Sequence, residues 1–227
     1  MTESSTPDPQ RTLSNDEIAQ QDLPGWARLA GGLFARFETG DFQTGLELVS
    51  AFGAAAEEAG HHPDLVLTYP ALEVKLVSHD VGGITSRDIQ LAQAFNGLAK
   101  VHSVSAAPAA LAEVELALDT PDHEKIAPFW AAVLDYEQDG DELVDPSGRG
   151  PTMWFQKRDS EDAEASQRFH LDVWVSPDVA QDRISAATAA GGTVVDESQA
   201  PSFVVLADAD GNKACICTSL DRAGTGS

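Results

Sequence analysis

Apolar residues in the first hundred positions recur with helical spacing in some segments and with strand spacing in others. Positions three or four apart predict one helix over 42–56 and another over 89–98. Asp41 and Thr85 are suited to cap the starts of these helices, and Gly60 is suited to end the first one. Short runs rich in apolar residues predict two pairs of strands: Trp26–Leu29 with Leu33–Glu38, and Asp64–Tyr69 with Leu72–His79.

The first unit therefore has the predicted order α-β-β-α-β-β-α. Its opening helix starts at Ser14, with Glu17 three residues later as in a capping box, and its last helix ends near Val101. This order predicts an α+β fold over residues 13–101, with an antiparallel sheet that carries the helices on one face. Residues 1–12 are polar and are expected to form a disordered tail.

The second half contains an internal repeat. A strand runs into Thr-Pro-Asp at 120–122, and a second strand runs into Ser-Pro-Asp at 176–178, so each is expected to lead into a helix. Later strands are expected to flank 145–148 in the first copy and 208–211 in the second. Residues 113–220 are thus predicted to form paired βαβββ modules. The Ser, Ala and Pro content of 102–112 predicts a linker, and 221–227 are expected to be a flexible tail.

Composition narrows the possible partners. The formal net charge is −23, and such a surface repels nucleic acid and anionic membranes. No apolar run reaches the ~18 residues of a membrane span, and the first ten residues lack the order of a signal peptide. Cys215 and Cys217 are two apart in a predicted strand, where a disulfide would be strained. We therefore expect an acidic cytoplasmic protein that binds neither nucleic acid nor membranes.

Three of the six histidines fall close together in the sequence. His61 and His62 lie where the helix over 42–56 should end, and His79 lies at the predicted end of a strand. Such a group indicates acid/base chemistry or a metal. Taken singly, His61 also suits a helix C-terminus and Asp88 suits a helix start. Adjacent histidines without further ligands are a poor ion cage, so the pattern favours acid/base chemistry.

Residues from Leu13 to Ala99 resemble the pterin-4a-carbinolamine dehydratase family. Six sequence features carry the resemblance: Leu23-Pro24-Gly25-Trp26, Glu57-x-x-x-His61-His62-Pro63, Tyr69, His79-Asp80, Gly82-Gly83 and Arg87-Asp88. Gly60 departs from the pattern, because the family commonly has an acid there.

The resemblance implies a dehydration without metal or cofactor. The substrate would be a tetrahydropterin with a hydroxyl at C4a, and the product a quinonoid dihydropterin. It implies His61 and His79 as proton donors, and His62 as the base or as a group that positions the pterin. Four further residues are expected to bind the substrate: Glu57, Asp80, Arg87 and Asp88.

The second half resembles a glyoxalase-like domain of the vicinal-oxygen-chelate superfamily. The paired modules, His170-Leu171-Asp172 and the segment 208–212 carry this resemblance. Metal-dependent members take His and Glu ligands from the first and last strands of each module. His170 matches such a position, but Cys215 stands where a Glu is expected. Val114 stands at the first-strand position, with Glu113 and Glu115 as near neighbours. The remaining position falls to Phe155 or Gln156. The ligand set is therefore incomplete, and we expect no metal.

Two other functions compete with the dehydratase. The chain could be a non-catalytic protein for ligand binding or dimerisation, or a metal-dependent lyase or dioxygenase centred on the second half. The intact histidine group favours the dehydratase. The sequence leaves open the ligand of the second half and whether the chain forms a homo-oligomer. A fragment of residues 1–104 is expected to keep the activity.

Overall fold

The computed structural model describes residues 8–157, 169–207 and 213–221. The chain divides into two compact units: one runs to Leu111 and takes in residues 219–221, and the other spans Ala112–Thr218. Residues 1–7 and 222–227 of the predicted tails, and the predicted turn and motif over 208–212, lie outside the described residues. No helix among the described residues is long and apolar enough to cross a membrane.

The first unit has the predicted order of elements. Its helices are α1 (Asn15–Ala19), α2 (Phe42–Ala59) and α3 (Ser86–Val101), and its strands are β1 (Trp26–Leu29), β2 (Gly32–Glu38), β3 (Asp64–Thr68), β4 (Ala71–Leu76) and β5 (Ser105–Ala106). The sheet is antiparallel with the order β1-β2-β4-β3, and β5 pairs with β2.

The helix ends follow from local chemistry. Ser14 and Glu17 form the predicted capping box of α1. Asp41 caps α2, because its Oδ1 accepts a hydrogen bond of 2.8 Å from the backbone N–H of Thr44. Gly60 ends α2 in the left-handed conformation at φ 59°, which glycine adopts without steric cost. The chain therefore turns sharply just before the two adjacent histidines.

One apolar layer joins α2 and α3 to a single face of the sheet. Alternate residues of β2 and β4 enter this layer, as the two-residue period of a strand requires. Phe52 of α2 and Phe95 of α3 stack with ring centroids 4.1 Å apart. The helices thus lie on one face, as predicted. The layer includes Leu33, Ala35, Phe37, Leu72, Val74, Leu76, Leu48, Phe52, Ala56, Ile89, Ala92 and Phe95.

Strand β4 is shorter than predicted. It ends at Leu76, which pairs with Leu33, and β2 begins at Gly32, so a β4 extended to His79 would run past the start of β2. Ser78 instead bridges Gly83, and His79 lies in the turn between them. The prediction that His79 ends the strand is therefore wrong.

The segment predicted as a linker packs against the first unit instead. Val104 joins its apolar core, and Ser105 and Ala106 pair with β2. A short 3₁₀-helix, Pro108–Ala110, follows. The small side chains that suggested a linker also allow close packing. A Cβ built on Gly25 would lie only 2.3 Å from the Cβ of Ala106, so Ala106 packs directly against the backbone of Gly25.

The second unit consists of the two predicted βαβββ modules. The first contains β6 (Ala112–Thr120), α4 (His123–Leu134), β7 (Glu137–Asp139), β8 (Glu142–Val144) and β9 (Met153–Lys157), and the second contains β10 (Phe169–Val175), α5 (Pro177–Ala189), β11 (Thr193–Asp196), β12 (Phe203–Ala207) and β13 (Lys213–Cys217). They share one sheet in the order β11-β12-β13-β10-β6-β9-β8-β7.

The two faces of this sheet differ in character. One face packs against the helices through Leu118 and Phe155 under α4, and through Val175 and Ile216 under α5. Alternation along the central strands therefore places their other residues on the opposite face. That second face carries the polar and thiol side chains Glu115, Asp119, His170, Asp172 and Cys215.

Candidate active site

A buried carboxylate joins the two segments that carry the predicted catalytic histidines. Asp88 Oδ1 lies 2.7 Å from His61 Nε2. Its Oδ2 accepts hydrogen bonds from Ser78 Oγ at 2.7 Å and from the backbone N–H of Thr85 at 2.8 Å. Asp88 is fully buried, and His61 is 7% exposed. One carboxylate therefore fixes the residue before His62 and the residue before His79.

Local structure accounts for this position of Asp88. Thr85 caps α3, and Asp88 is the third residue of the helix, where a capping box turns the acid back toward the cap. Its Oδ2 accepts from the cap, and its Oδ1 remains available to His61. The left-handed turn at Gly60 ends α2 just before His61 and so directs this histidine toward Asp88. The helix-start function of Asp88 and its contact with His61 thus coexist in one side chain.

His62 lies outside this buried network. Its ring is exposed, and its Nε2 lies 3.2 Å from Oε1 of Glu57, the carboxylate one and a half turns earlier. The hydrogen bond orients the ring but leaves most of it open to solvent. Because both side chains are exposed, the pair contributes little to stability. His62 is therefore accessible to a ligand from solvent.

His79 and the remaining predicted residues lie around the turn after β4. His79 is exposed. Arg87 Nη2 donates a hydrogen bond of 2.7 Å to Asp80 Oδ1, and this contact lowers the pKa of the Asp80 carboxyl. The structure thus pairs Arg87 with Asp80, His62 with Glu57 and His61 with Asp88.

Two residues of the network escaped the sequence reasoning. Ser78 donates to Asp88, and its hydroxyl also lies 2.9 Å from the Thr85 hydroxyl. Thr85 was predicted only as a helix cap. The position of Ser78 beside His79 was the available signal, but its partner is ten residues away and becomes visible only in the fold.

The second unit brings together a different set of potential ligands. His170, Asp172 and Cys215 each offer one ligand atom, and these atoms all lie within 4.8 Å of one another. His170 and Asp172 are two apart on β10, and Asp172 is the register partner of Cys215 on the parallel strand β13. Cys215 and Cys217 form no disulfide. Sequence reasoning had considered His170 and Cys215 but had missed Asp172.

A second carboxylate stands behind His170. Asp119 Oδ1 is buried and has no hydrogen-bond partner among the described residues, yet it lies 3.7 Å from His170 Nδ1. His170 Nε2 lies 3.7 Å from Asp172 Oδ1 on its other side. A carboxylate that holds one imidazole nitrogen while the other faces a metal is the usual outer support of a histidine ligand. The residues present therefore fit a metal ion that accepts nitrogen, oxygen and sulfur.

The surrounding face is acidic. Burial raises the pKa of Glu115 to about 7, and the carboxylates of Glu142, Asp172 and Glu113 add to the rise. The Trp174 indole opposes it, because its Nε1–H donates a 2.5 Å hydrogen bond to Glu115. This hydrogen bond holds the Glu115 carboxylate against the indole ring.

Each of the two units matches a known protein family. Residues 11–98 match the family model described as pterin 4 alpha carbinolamine dehydratase. A protein from Natronomonas pharaonis named "Putative pterin-4-alpha-carbinolamine dehydratase" is 41% identical over 88 residues, which cover 39% of this chain and 96% of that protein. The chain belongs to the pterin-4-alpha-carbinolamine dehydratase family. Residues 115–217 match the model of a glyoxalase-like domain, so this family member carries a second, different domain.

Two further similar proteins carry related names. A protein from Thermosynechococcus vestitus with the same printed name is 42% identical over 91 residues, or 39% of this chain and 96% of that protein. A crystal structure titled transcriptional coactivator/pterin dehydratase, from Brucella melitensis, is 28% identical with a TM-score of 0.38, and the match covers 39% of this chain and 99% of that chain.

Proposed function

We propose that the first unit dehydrates a 4a-hydroxytetrahydropterin to the quinonoid dihydropterin by proton transfer through histidine side chains. Membership of the dehydratase family supports the reaction class. The observation that carries the assignment to particular residues is the Asp88 carboxylate. Its two oxygens hold His61 and Ser78, and so fix the segments that present His62 and His79.

The chemistry requires two proton movements. The C4a–O bond breaks as the hydroxyl oxygen takes a proton and leaves as water. N5 of the pterin loses its proton, and its electron pair forms the new double bond to C4a. One group must therefore give a proton near the hydroxyl, and another must accept one near N5. Imidazoles serve both tasks near neutral pH.

The contacts suggest how the histidines divide this work. The Nε2 of His61 is engaged by Asp88, which leaves Nδ1 as the nitrogen that exchanges a proton with the substrate. We assign proton donation to His61 and to the exposed His79. His62 accepts the N5 proton or positions the pterin, with Glu57 orienting its ring. Asp80 and Arg87 bind the substrate from the rim of the same turn.

The experiment is a dehydratase assay of the full chain with freshly generated 4a-hydroxytetrahydropterin. We expect His62→Ala to lower turnover by about 10²-fold or more, the usual effect of losing a placed acid or base, with smaller losses for His61→Ala and His79→Ala. His102→Ala is the matched control, since His102 follows the end of α3, away from these segments. It should keep full turnover, and a chelator should leave the wild-type rate unchanged.

Two results would contradict the proposal. Wild-type turnover in all three single variants would remove the histidines from the reaction. A wild-type chain without dehydratase activity above the spontaneous rate would favour the non-catalytic binding or dimerisation protein instead.

A further inference from the structure

We infer that the second unit holds a zinc-class metal ion on His170 Nε2, an Asp172 carboxylate oxygen and the Cys215 thiolate. This site is independent of the proposed dehydratase, and it differs from the metal-free second half that the sequence predicts. The sequence analysis places His170 at one ligand position of a His/Glu set and finds Cys215 where a Glu is expected. The structure adds Asp172 between them, which completes a three-ligand group of another composition.

The spacing of the ligand atoms suits one ion. Zinc bonds of about 2.0 to 2.3 Å at tetrahedral angles separate ligand atoms by about 3.3 to 3.8 Å. His170 Nε2 and Asp172 Oδ1 are already 3.7 Å apart, and all three ligand atoms lie within 4.8 Å of one another. Side-chain rotations that close the gap by about 1 Å would bring them to bonding distance. The backbone register already places them on the same face.

Asp119 provides independent support for a ligand-bearing His170. Its Oδ1 is buried without a hydrogen-bond partner among the described residues, which is costly for a carboxylate oxygen. At 3.7 Å from His170 Nδ1 it is just beyond hydrogen-bond range. A shift of the ring that turns Nε2 toward Asp172 and Cys215 would let Nδ1–H donate to Asp119. The metal would thus satisfy an oxygen that has no other hydrogen-bond partner in the described part of the chain.

The donor types select the class of metal. A thiolate with an imidazole favours zinc and related borderline ions over magnesium or calcium, which prefer oxygen ligands only. Two of the three groups carry negative charge once the thiol ionises, so a divalent cation also relieves their mutual repulsion. Three protein ligands leave a fourth tetrahedral position open to water, and a bound zinc ion would act there as a Lewis acid.

The test is a titration of the chelator-stripped full chain with Co²⁺, followed by absorption. Cobalt on a thiolate gives a sulfur-to-metal charge-transfer band, and the chain has only two cysteines. We expect the band to saturate at one equivalent and to disappear when Zn²⁺ displaces the cobalt. Cys215→Ser should abolish it.

Cys217→Ser is the matched control. Cys217 is buried two residues further along β13, beside Trp174 rather than Asp172, so its variant should keep the band. Asp119→Asn should keep the band as well but bind cobalt about tenfold more weakly, because it loses only the outer support. Asp172→Asn should weaken binding further.

The wild-type titration decides the matter even if a variant fails to fold. A stripped wild-type chain that gives no charge-transfer band with excess cobalt would overturn the inference. So would a band that survives in Cys215→Ser or is lost in folded Cys217→Ser. No pterin is present in this experiment, so its outcome is separate from that of the dehydratase assay.

Discussion

At the scale of single residues, Asp88 contributes both to the stability of the first unit and to the proposed chemistry. Its two oxygens accept from Thr85 and Ser78 and bond to His61 inside the first unit. An amide in its place cannot accept at its nitrogen, so any buried partner that donates to that atom would lose its hydrogen bond. The same side chain therefore holds the start of α3 and the orientation of the His61 ring.

Asp88→Asn should lower the free energy of unfolding by about 1–3 kcal/mol, the cost of leaving a buried polar group unsatisfied. It should also lower dehydratase turnover at temperatures where it remains folded. Asp80→Asn is the control, because the exposed Asp80–Arg87 pair is screened by solvent and contributes little to stability. Urea unfolding of the three proteins measures the difference, and equal midpoints for both variants would refute the role given to Asp88.

Glu115 gives the second unit a predictable pH dependence. Burial raises its pKa to about 7 from the ordinary value of 4.5, so the folded chain holds its proton more tightly than the unfolded chain. The resulting stabilisation is fully present below about pH 4.5 and is lost as the pH rises through about 7. In metal-stripped protein, Glu115→Gln should remove this part of the pH dependence.

Urea unfolding of the stripped protein from about pH 5 to about pH 8 measures this effect. Glu137→Gln, on the exposed strand β7, is the control and should follow the wild type. If Glu115→Gln and the wild type lose stability in parallel over this range, the Glu115 carboxyl is not the group responsible.

At the scale of elements, the sequence predicted those features that depend on contacts between residues close together in the chain, and missed those that depend on distant contacts. The ends of α2 and the start of α3 were predictable because Asp41, Gly60 and Thr85 act on backbone atoms within a few residues. The end of β4 was not, because it depends on where β2 begins. The contact between His61 and Asp88 spans 27 residues, and it needs both helices packed on the sheet.

The same limit applies to the second unit. The repeat at 120–122 and 176–178 predicted two βαβββ modules, and the structure confirms them. The register that sets Asp172 beside Cys215 could not be predicted from the sequence, because β10 and β13 are parallel and lie far apart along the chain. Asp172 could have been suspected only from its place two residues after His170.

Gly25 tests whether the segment after α3 is an integral part of the first unit. Its φ is +86°, and a Cβ there would lie 2.3 Å from the Cβ of Ala106 in β5. Gly40 also has a positive φ, +76°, but an added Cβ would meet nothing within 4 Å. Gly25→Ala should therefore combine backbone strain of about 1–2 kcal/mol with overpacking of about 1–3 kcal/mol, and Gly40→Ala should show the strain alone.

Thermal unfolding of the two variants separates these terms. We expect the wild type to have the highest melting temperature, Gly40→Ala a lower one and Gly25→Ala the lowest. Equal losses in the two variants would mean that β5 is not held against Gly25, and the segment would then behave as the linker that its composition predicts.

At the scale of the whole molecule, the two units each have their own sheet and core, and each carries a separate candidate site. The proposed pterin site draws all its residues from positions 57–88, within the first unit. The proposed metal site draws all of its residues from the second. The fragment expected from the sequence, residues 1–104, cuts the chain just before β5, so residues 1–111 are the better boundary.

The most direct test of the account is dehydratase turnover of the fragment 1–111 beside the full chain. Both should melt cooperatively and turn over 4a-hydroxytetrahydropterin at the same rate within about twofold, and His62→Ala should lower both by about 10²-fold. The shorter fragment 1–104 should be less stable, because it lacks β5. A fragment 1–111 that is folded but inactive, beside an active full chain, would show that residues beyond Leu111 complete the pterin site and would contradict the assignment of that site to positions 57–88.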